Sequence, residues 1–209
     1  ALLDDRTVFY RGRRVPDVCA EPELRIAIDH AAIDYEVAEE PAHRHLAVDT
    51  DPSTGEDFSA YYRIPRSSQD LLDRSALIEL CTDRGGTMVT LIKEIGSDAL
   101  FGLQRGLEGD GLERAQAFWE HCRRGDLAVA VGQTDVKGDR SKLPHQQDDP
   151  DMYVRVVDEN DHGIVVRGAK CHTSISVNAD EIIVLPTRAF GPDDADYAVA
   201  FAVPINTPG

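Results

Sequence analysis

Basic residues are scarce in this chain: 22 Lys and Arg stand against 38 Asp and Glu in 209 residues, a formal net charge of -16. That balance excludes a nucleic-acid backbone or an anionic lipid surface as partner, since both require a basic footprint. Long apolar runs are missing too. The longest, residues 182–186 and 197–204, fall well short of the roughly 20 residues a membrane span needs. The opening ALLDDRTVFYRGRR has no basic region followed by an apolar stretch, so no secretory signal is expected there. Cysteine is sparse, with Cys19, Cys81, Cys122 and Cys171 and no CxxC pair. That excludes a disulfide framework and predicts a reduced, cytoplasmic chain. No repeat with a period of roughly 20–50 residues is visible. What is there is a globular balance, 42% hydrophobic and 29% charged, enough for a core in one large domain or two small ones.

The hydrophobic period changes near Arg124. Before it the pattern is helical. Pro22 sits where a first turn would begin, and Leu24, Ala27, Ile28, Ala31 and Tyr35 recur at three- and four-residue steps until Pro41. Residues 49–68, rich in Asp, Ser, Pro and Gly, read as a long loop. A second helix is predicted from Ser67 or Ser68, carrying Leu71, Leu72, Ala76 and Leu80 and ending at Gly85-Gly86. A third carries Met88, Leu91, Ile92, Ile95 and Ala99, and a fourth, over 113–124, carries Ala115, Phe118 and Cys122. After Gly125-Asp126, short Val- and Ile-rich runs at 127–131, 153–157, 163–167, 181–185 and 197–203 predict strands. Turn residues separate them at 159–161 and 191–194. Together these predict an α+β chain, helical over 1–125, with an antiparallel barrel or sandwich over 126–209. Ending on Thr207-Pro208-Gly209 directly after an apolar strand, the sequence is expected to continue.

Two segments carry candidate chemistry. Residues 133–141, QTDVKGDRS, follow a strand and combine a hydroxyl, an amide and a glycine turn that can present backbone N–H groups to a polar ligand; the plain alternative is a solvated loop. Residues 168–174, GAKCHTS, end another strand. His172 beside Cys171 suggests a metal ligand or a nucleophile, but no HxxxH or CxxxC accompanies it, and a hydrogen-bonded structural histidine is the alternative. Cys81 reads either as a reactive thiol or as an inert buried one. Lys137, Arg140 and Lys142 can meet a phosphate or balance Asp135, Asp139, Asp148 and Asp149.

The stretches TDVKGDRSKLPHQQDDPDMYVRVV, GIVVRGAKCHTS, ADEIIVLPTRA and DYAVAFAVPINTPG, together with VFYRGRRVPDV near the start, resemble the 4-hydroxyphenylacetate 3-hydroxylase / 4-hydroxybutyryl-CoA dehydratase (vinylacetyl-CoA isomerase) family over nearly the whole chain. The resemblance implies an acyl-CoA-dehydrogenase-like fold: a helical N-terminal domain, a β-barrel middle domain, and a C-terminal helical bundle that this sequence lacks. It implies FAD held against the β domain. Gln133, Thr134 and Asp135 would then line the pyrimidine side, and His172, Thr173 and Ser174 would lie near the reactive edge. Arg140 and Ser141 complete the implied cofactor set, Arg140 holding a flavin phosphate or, equally, a structural ion pair. A flavin ring needs a few fixed donors and acceptors on an apolar surface, while the cofactor does the chemistry.

The same resemblance bears on the reaction. Dehydratase members carry a [4Fe–4S] cluster on a CxxxC pair, a His and a later Cys. Here the matching positions are Cys81, Gly85, His172 and Ala179, and two ligands do not hold four irons in the usual way. No metal is therefore expected. Hydroxylase members carry an RxxxY pair and a strand His, and Val131 stands in the latter place. His172 or Arg84 would then polarise a phenol or stabilise developing negative charge. The expected activity is a two-component flavin monooxygenase using reduced FAD and O2 on a small aromatic substrate, with a separate reductase and a tetrameric assembly. The alternatives are an acyl-thioester dehydratase/isomerase and a catalytically lapsed structural subunit.

Overall fold

The computed structural model describes residues 4–86 and 92–208. The chain opens with a hairpin, β1 (Val8–Tyr10) and β2 (Arg13–Val15). Arg11 and Gly12 at its tip both have positive φ, 50° and 77°, as a two-residue turn matched to strand twist requires. Val8 and Val15 are buried with Val18, against Leu24, Ile28 and Val177.

Helix α1 (Pro22–Glu39) starts on its proline, which loses no hydrogen bond at a first helical position. Its buried residues are Ala31, Asp34 and Val37, whereas Ala27 is exposed. A short α2 (Arg44–Ala47) leads into β3 (Val48–Thr50), which pairs antiparallel with β4 (Asp57–Ser59). The expected long loop over 49–68 is thus interrupted by ordered elements: β4 runs into a 3-10 turn, Ala60–Tyr62, whose Tyr61 and Tyr62 are among the most buried side chains described. Strands of three residues are too short to show a period of two.

Helix α3 (Ser68–Gly85) begins at Ser67, whose hydroxyl accepts from the Asp70 N–H while the Asp70 carboxylate accepts from the Ser67 N–H. This reciprocal pair satisfies two otherwise orphaned amides. The buried residues of α3 are Leu77 and Cys81, while Leu71 and Leu72 remain 58% and 63% exposed, contrary to the expected stripe. With Val37, Ala47, Ala60 and Tyr61, Leu77 and Cys81 form one core cluster.

Of the expected third helix, Met88 and Leu91 lie outside the described residues. Ile92 is buried just before α4 (Glu94–Gly106), and Ile95 is half-exposed. Helix α4 rests directly on the next strand, where a side chain at Gly96 would strike the Val129 backbone. Helix α5 (Gly109–Gly125) buries Ala115 and Cys122 and stops at Asp126, a non-glycine residue in the left-handed region.

Strands β5 (Val129–Gly132), β8 (Glu181–Val184) and β9 (Phe201–Pro204) form one sheet, and β6 (Arg155–Asn160) pairs with β7 (Gly163–Arg167) in a separate hairpin. The chain is therefore α+β as expected, but the β5–β8 pair is parallel. Parallel pairing needs a long crossover, here the segment containing the β6–β7 hairpin. Among the described residues the strands do not close into a barrel. The turn expected at 191–194 opens a 3-10 segment, Pro192–Tyr197, so Tyr197 lies outside β9.

The helical and β parts share a core: Tyr62, Leu100, Cys122, Val129 and Ile183 pack in one cluster. The crossing between them is held from several sides. Lys93, wholly buried, donates to the Asp126 carboxylate at 2.7 Å and lies 3.7 Å from the centre of the Tyr35 ring. The Tyr35 and Tyr62 hydroxyls donate to the carbonyls of Asp126 and Leu127, and the Ala128 N–H donates to Asp180. No helix among the described residues is long and apolar enough to cross a membrane.

Candidate functional site

Two loops meet beyond the C-terminal end of β5. The first, residues 133–141, leaves the strand with the Gln133 and Thr134 side chains exposed. The second follows β7 and is joined to the first by backbone: Asp135 and Lys170 form an antiparallel bridge, and the Cys171 N–H donates to the Thr134 carbonyl at 2.9 Å. The Lys170 ammonium donates to the Gln133 carbonyl at 3.1 Å and to the Asp135 carboxylate. Thr187, past the end of β8, donates its hydroxyl to the other Asp135 oxygen. Asp135 therefore faces inward, while Gln133 and Thr134 face outward.

Gly168 makes this junction possible. It sits at φ 131°, and a Cβ there would collide with the Tyr153 backbone. After the junction, His172 and Ile175 both take left-handed φ values, 53° and 59°. Two such non-glycine residues within four positions carry strain of about 1–2 kcal/mol each, which surrounding structure must hold in place. His172 and Ser174 are exposed and Thr173 is half-buried. The structure thus brings Gln133, Thr134 and Asp135 beside the segment that carries His172, from which Thr173 and Ser174 lead away.

Farther along the first loop, Gly138 turns at φ 42° against Met152 and Gln147. The Gln147 amide accepts from the Asp139 N–H at 3.0 Å and donates to the Asp139 carbonyl at 2.8 Å. Asp139 in turn accepts from the Ser141 N–H and hydroxyl, and these bonds hold its carboxyl below the usual range. Ser141 is exposed but engaged by Asp139. Arg140 is exposed and has no acidic partner among the described residues, which leaves its charge available to an anion. Lys142 pairs instead with Asp148. The His145 ring and its N–H both contact Asp194 at 2.9 Å, which ties this loop to the 3-10 segment.

Arg84 stands elsewhere. At the end of α3 its guanidinium takes both carboxylate oxygens of Glu40, just past α1, and none of its described contacts reaches the two loops. Cys81 is wholly buried. Burial, together with the nearby Asp34 charge, pushes its thiol up to about 12, so it is neutral and inert near pH 7.

The positions matching the cluster ligands of dehydratase relatives do not fit a [4Fe–4S] group. Gly85 and Ala179 have no ligating side chain, Cys81 is a buried neutral thiol, and His172 is exposed. Among the described residues, no group of three or more His, Cys, Asp or Glu is placed to hold a metal ion. A flavin fits better the donor set that is present, namely exposed amide, hydroxyl and imidazole groups at the loop junction with an unpaired arginine on the adjoining loop.

Sequence reasoning missed Lys170 and Thr187, which support the site from beneath. Lys170 lies within the GAK signature and was legible as a candidate; nothing near Thr187 in sequence announces its partner.

Residues 1–209 match the family described as 4-hydroxyphenylacetate 3-hydroxylase N terminal. The chain is 29% identical to the 4-hydroxybutyryl-CoA dehydratase/vinylacetyl-CoA-Delta-isomerase of Clostridium aminobutyricum, over 97% of this chain and 42% of that protein. It is 27% identical to the 4-hydroxyphenylacetate 3-monooxygenase oxygenase component of Thermus thermophilus, with the same coverage. Among solved structures, an oxygen-tolerant archaeal 4-hydroxybutyryl-CoA dehydratase from N. maritimus superposes with TM-score 0.86 at 29% identity, over 97% of this chain and 41% of that one. The oxygenase component of 4-hydroxyphenylacetate 3-monooxygenase, complexed with FAD and 4-hydroxyphenylacetate, gives TM-score 0.85 at 26% identity, over 96% and 42%. The chain spans about two fifths of the length of the curated relatives it matches.

Proposed function

The chain belongs to the 4-hydroxyphenylacetate 3-hydroxylase N-terminal family, and from that membership we propose that it is the FAD-holding part of a two-component flavin monooxygenase acting on a small aromatic substrate. The observation that carries this reading is the joined pair of loops: the Cys171 N–H bonds the Thr134 carbonyl and sets His172 beside Gln133 and Thr134, with Thr173 and Ser174 leading from there to Ile175, packed against Ala128 before the start of β5. Gln133 and Thr134 serve the polar edge of the ring, Arg140 a phosphate, and Ser141 and Asp135 hold the loop's shape. When bound, reduced FAD supplies electrons for O2 activation. His172 is the candidate acid/base group, its ring exposed at the loop end and therefore free to exchange a proton with a phenol. We rank Arg84 behind it for stabilising negative charge, because Glu40 already holds its guanidinium.

The domain division at 125/126, a reductase partner, a cytoplasmic setting with four free thiols, a tetramer and barrel closure belong to the same proposal. The dehydratase/isomerase reading is favoured by the similarity to the Clostridium enzyme, but no [4Fe–4S] chemistry is derived from residues that do not fit the cluster. Anaerobic titration of the full-length protein with oxidised and reduced FAD, followed by visible spectra, separates the readings. Preferential binding of reduced FAD without iron–sulfur absorbance is expected. A brown iron chromophore with tightly held oxidised FAD would favour the dehydratase, and no flavin in either state would favour a lapsed structural subunit.

A further inference from the structure

We infer that Lys170 is a positioning residue that sets both the shape and the charge of the flavin site, through a clasp with Asp135 and Thr187; this rests on the FAD reading above. Three distant segments converge there. Lys170 donates to the Gln133 carbonyl at 3.1 Å and to one Asp135 oxygen, Thr187 donates to the other, and Cys171 closes the edge with its N–H on Thr134 at 2.9 Å and its thiol on the Asp135 carbonyl at 3.2 Å. The Lys170 and Asp135 side chains are only 10% and 9% exposed.

Two consequences follow. The carbonyls of residues 133–135 are all engaged inward, so the outward aim of the Gln133 and Thr134 side chains is fixed before any ligand arrives. The ammonium and carboxylate also cancel, so the cofactor meets a neutral base. A reduced flavin carrying negative charge is sensitive to that balance, because a shielded charge acts at longer range than an exposed one. Removing the ammonium leaves an uncompensated negative charge below the site, and removing the carboxylate's charge leaves a positive one.

The test uses full-length protein and measures dissociation constants for oxidised and for reduced FAD by anaerobic titration. Lys170→Met is expected to weaken reduced FAD about tenfold more than oxidised FAD, whereas Asp135→Asn shifts that ratio the other way by a similar factor. The double variant restores the wild-type ratio, and Lys170→Arg keeps it. Thr187→Val, which leaves both charges in place, weakens the two redox states equally. A purely structural role would move both ratios in one direction or neither. That result, with wild-type protein binding FAD, overturns the clasp; a wild type that binds no FAD overturns the family reading instead. Should Lys170→Met fail to fold, Asp135→Asn against the charge-balanced double variant carries the same comparison, and unchanged ratios in both refute it.

Discussion

Removing the charge of Asp126 should cost this protein more than removing the lysine that Asp126 neutralises. The Lys93 ammonium is wholly buried, and its described anionic partner is the Asp126 carboxylate at 2.7 Å. At that distance the gross attraction is about 6 kcal/mol for an effective dielectric near 20. The Asp126 side chain is 42% exposed, so solvent recovers much of this. We therefore expect Asp126→Asn to destabilise by about 2–3 kcal/mol, below the 3–5 kcal/mol typical of a fully buried pair. Lys93→Met keeps an apolar stem against Tyr35 and removes the charge that needed a partner. It should cost less than about 1 kcal/mol, chiefly the lost cation–π contact. Thermal unfolding reads this as a drop of about 5–10 °C for Asp126→Asn and a much smaller one for Lys93→Met.

The pH dependence supplies a second check. Burial lowers the Lys93 pKa, against the opposing pull of Asp126. Between its folded pKa and its higher unfolded one, the unfolded chain holds more protons, so stability attributable to this group rises with pH through that window. In Asp126→Asn the window widens downward, and the deficit relative to wild type should shrink as pH rises towards 10. A Lys93→Met variant as unstable as Asp126→Asn, or a deficit that grows with pH, refutes the argument.

Burial pushes the Cys81 and Cys122 thiols up to about 12, so a maleimide at pH 7.5 should label only Cys19 and Cys171 in the folded protein; mass spectrometry of the labelled chain that finds Cys81 modified would contradict this. Gly168→Ala should lower stability by about 2 kcal/mol or more and weaken FAD binding, since it meets the Tyr153 backbone at positive φ; urea unfolding and FAD titration measure both. Ser67→Ala should cost about 1 kcal/mol through the lost cap of α3, with FAD affinity unchanged. For Asp194, burial raises the pKa but the bonds from His145 outweigh it, and the net shift is downward. Its stabilisation is therefore present above the ordinary carboxylate range and lost as pH falls through the lower folded value. Asp194→Asn should flatten the acid limb of the unfolding curve below about pH 4.

The sequence was most legible where a local signal decides structure. Pro22 starts α1, Ser67 with Asp70 starts α3, and the boundaries of β7 are those its Val–Ile run predicts. It was least legible where partners are distant. The core tyrosines Tyr61 and Tyr62 follow a three-residue strand inside a stretch whose Asp, Ser and Gly content resembles a loop. Leu71 and Leu72 open an apolar stripe that continues through Ala76 and Leu80, but they lie on the open side of α3, and only tertiary packing decides which side that is. The parallel pairing of β5 and β8 is a choice of partner rather than a local preference. In the site, motif resemblance located both loops. Their connection through Lys170 and Thr187 spans 35 and 52 residues from Asp135, beyond the reach of any spacing rule.

The segment between Asp135 and Lys170 leaves the sheet, makes the β6–β7 hairpin, and returns to where it left. Arg140 and Ser141 lie on the outgoing limb, but the β6–β7 hairpin beyond them is closed at its base by the Arg155–Arg167 pair, so the length of its tip does not bear on the junction. That tip, at Asp161, His162 and Gly163, is exposed, and there residues can be inserted, deleted or fused to a reporter without moving the fastened ends. Lineages could thus reshape the outer arm, and with it whatever approaches from that side, while the cofactor's seat keeps its dimensions.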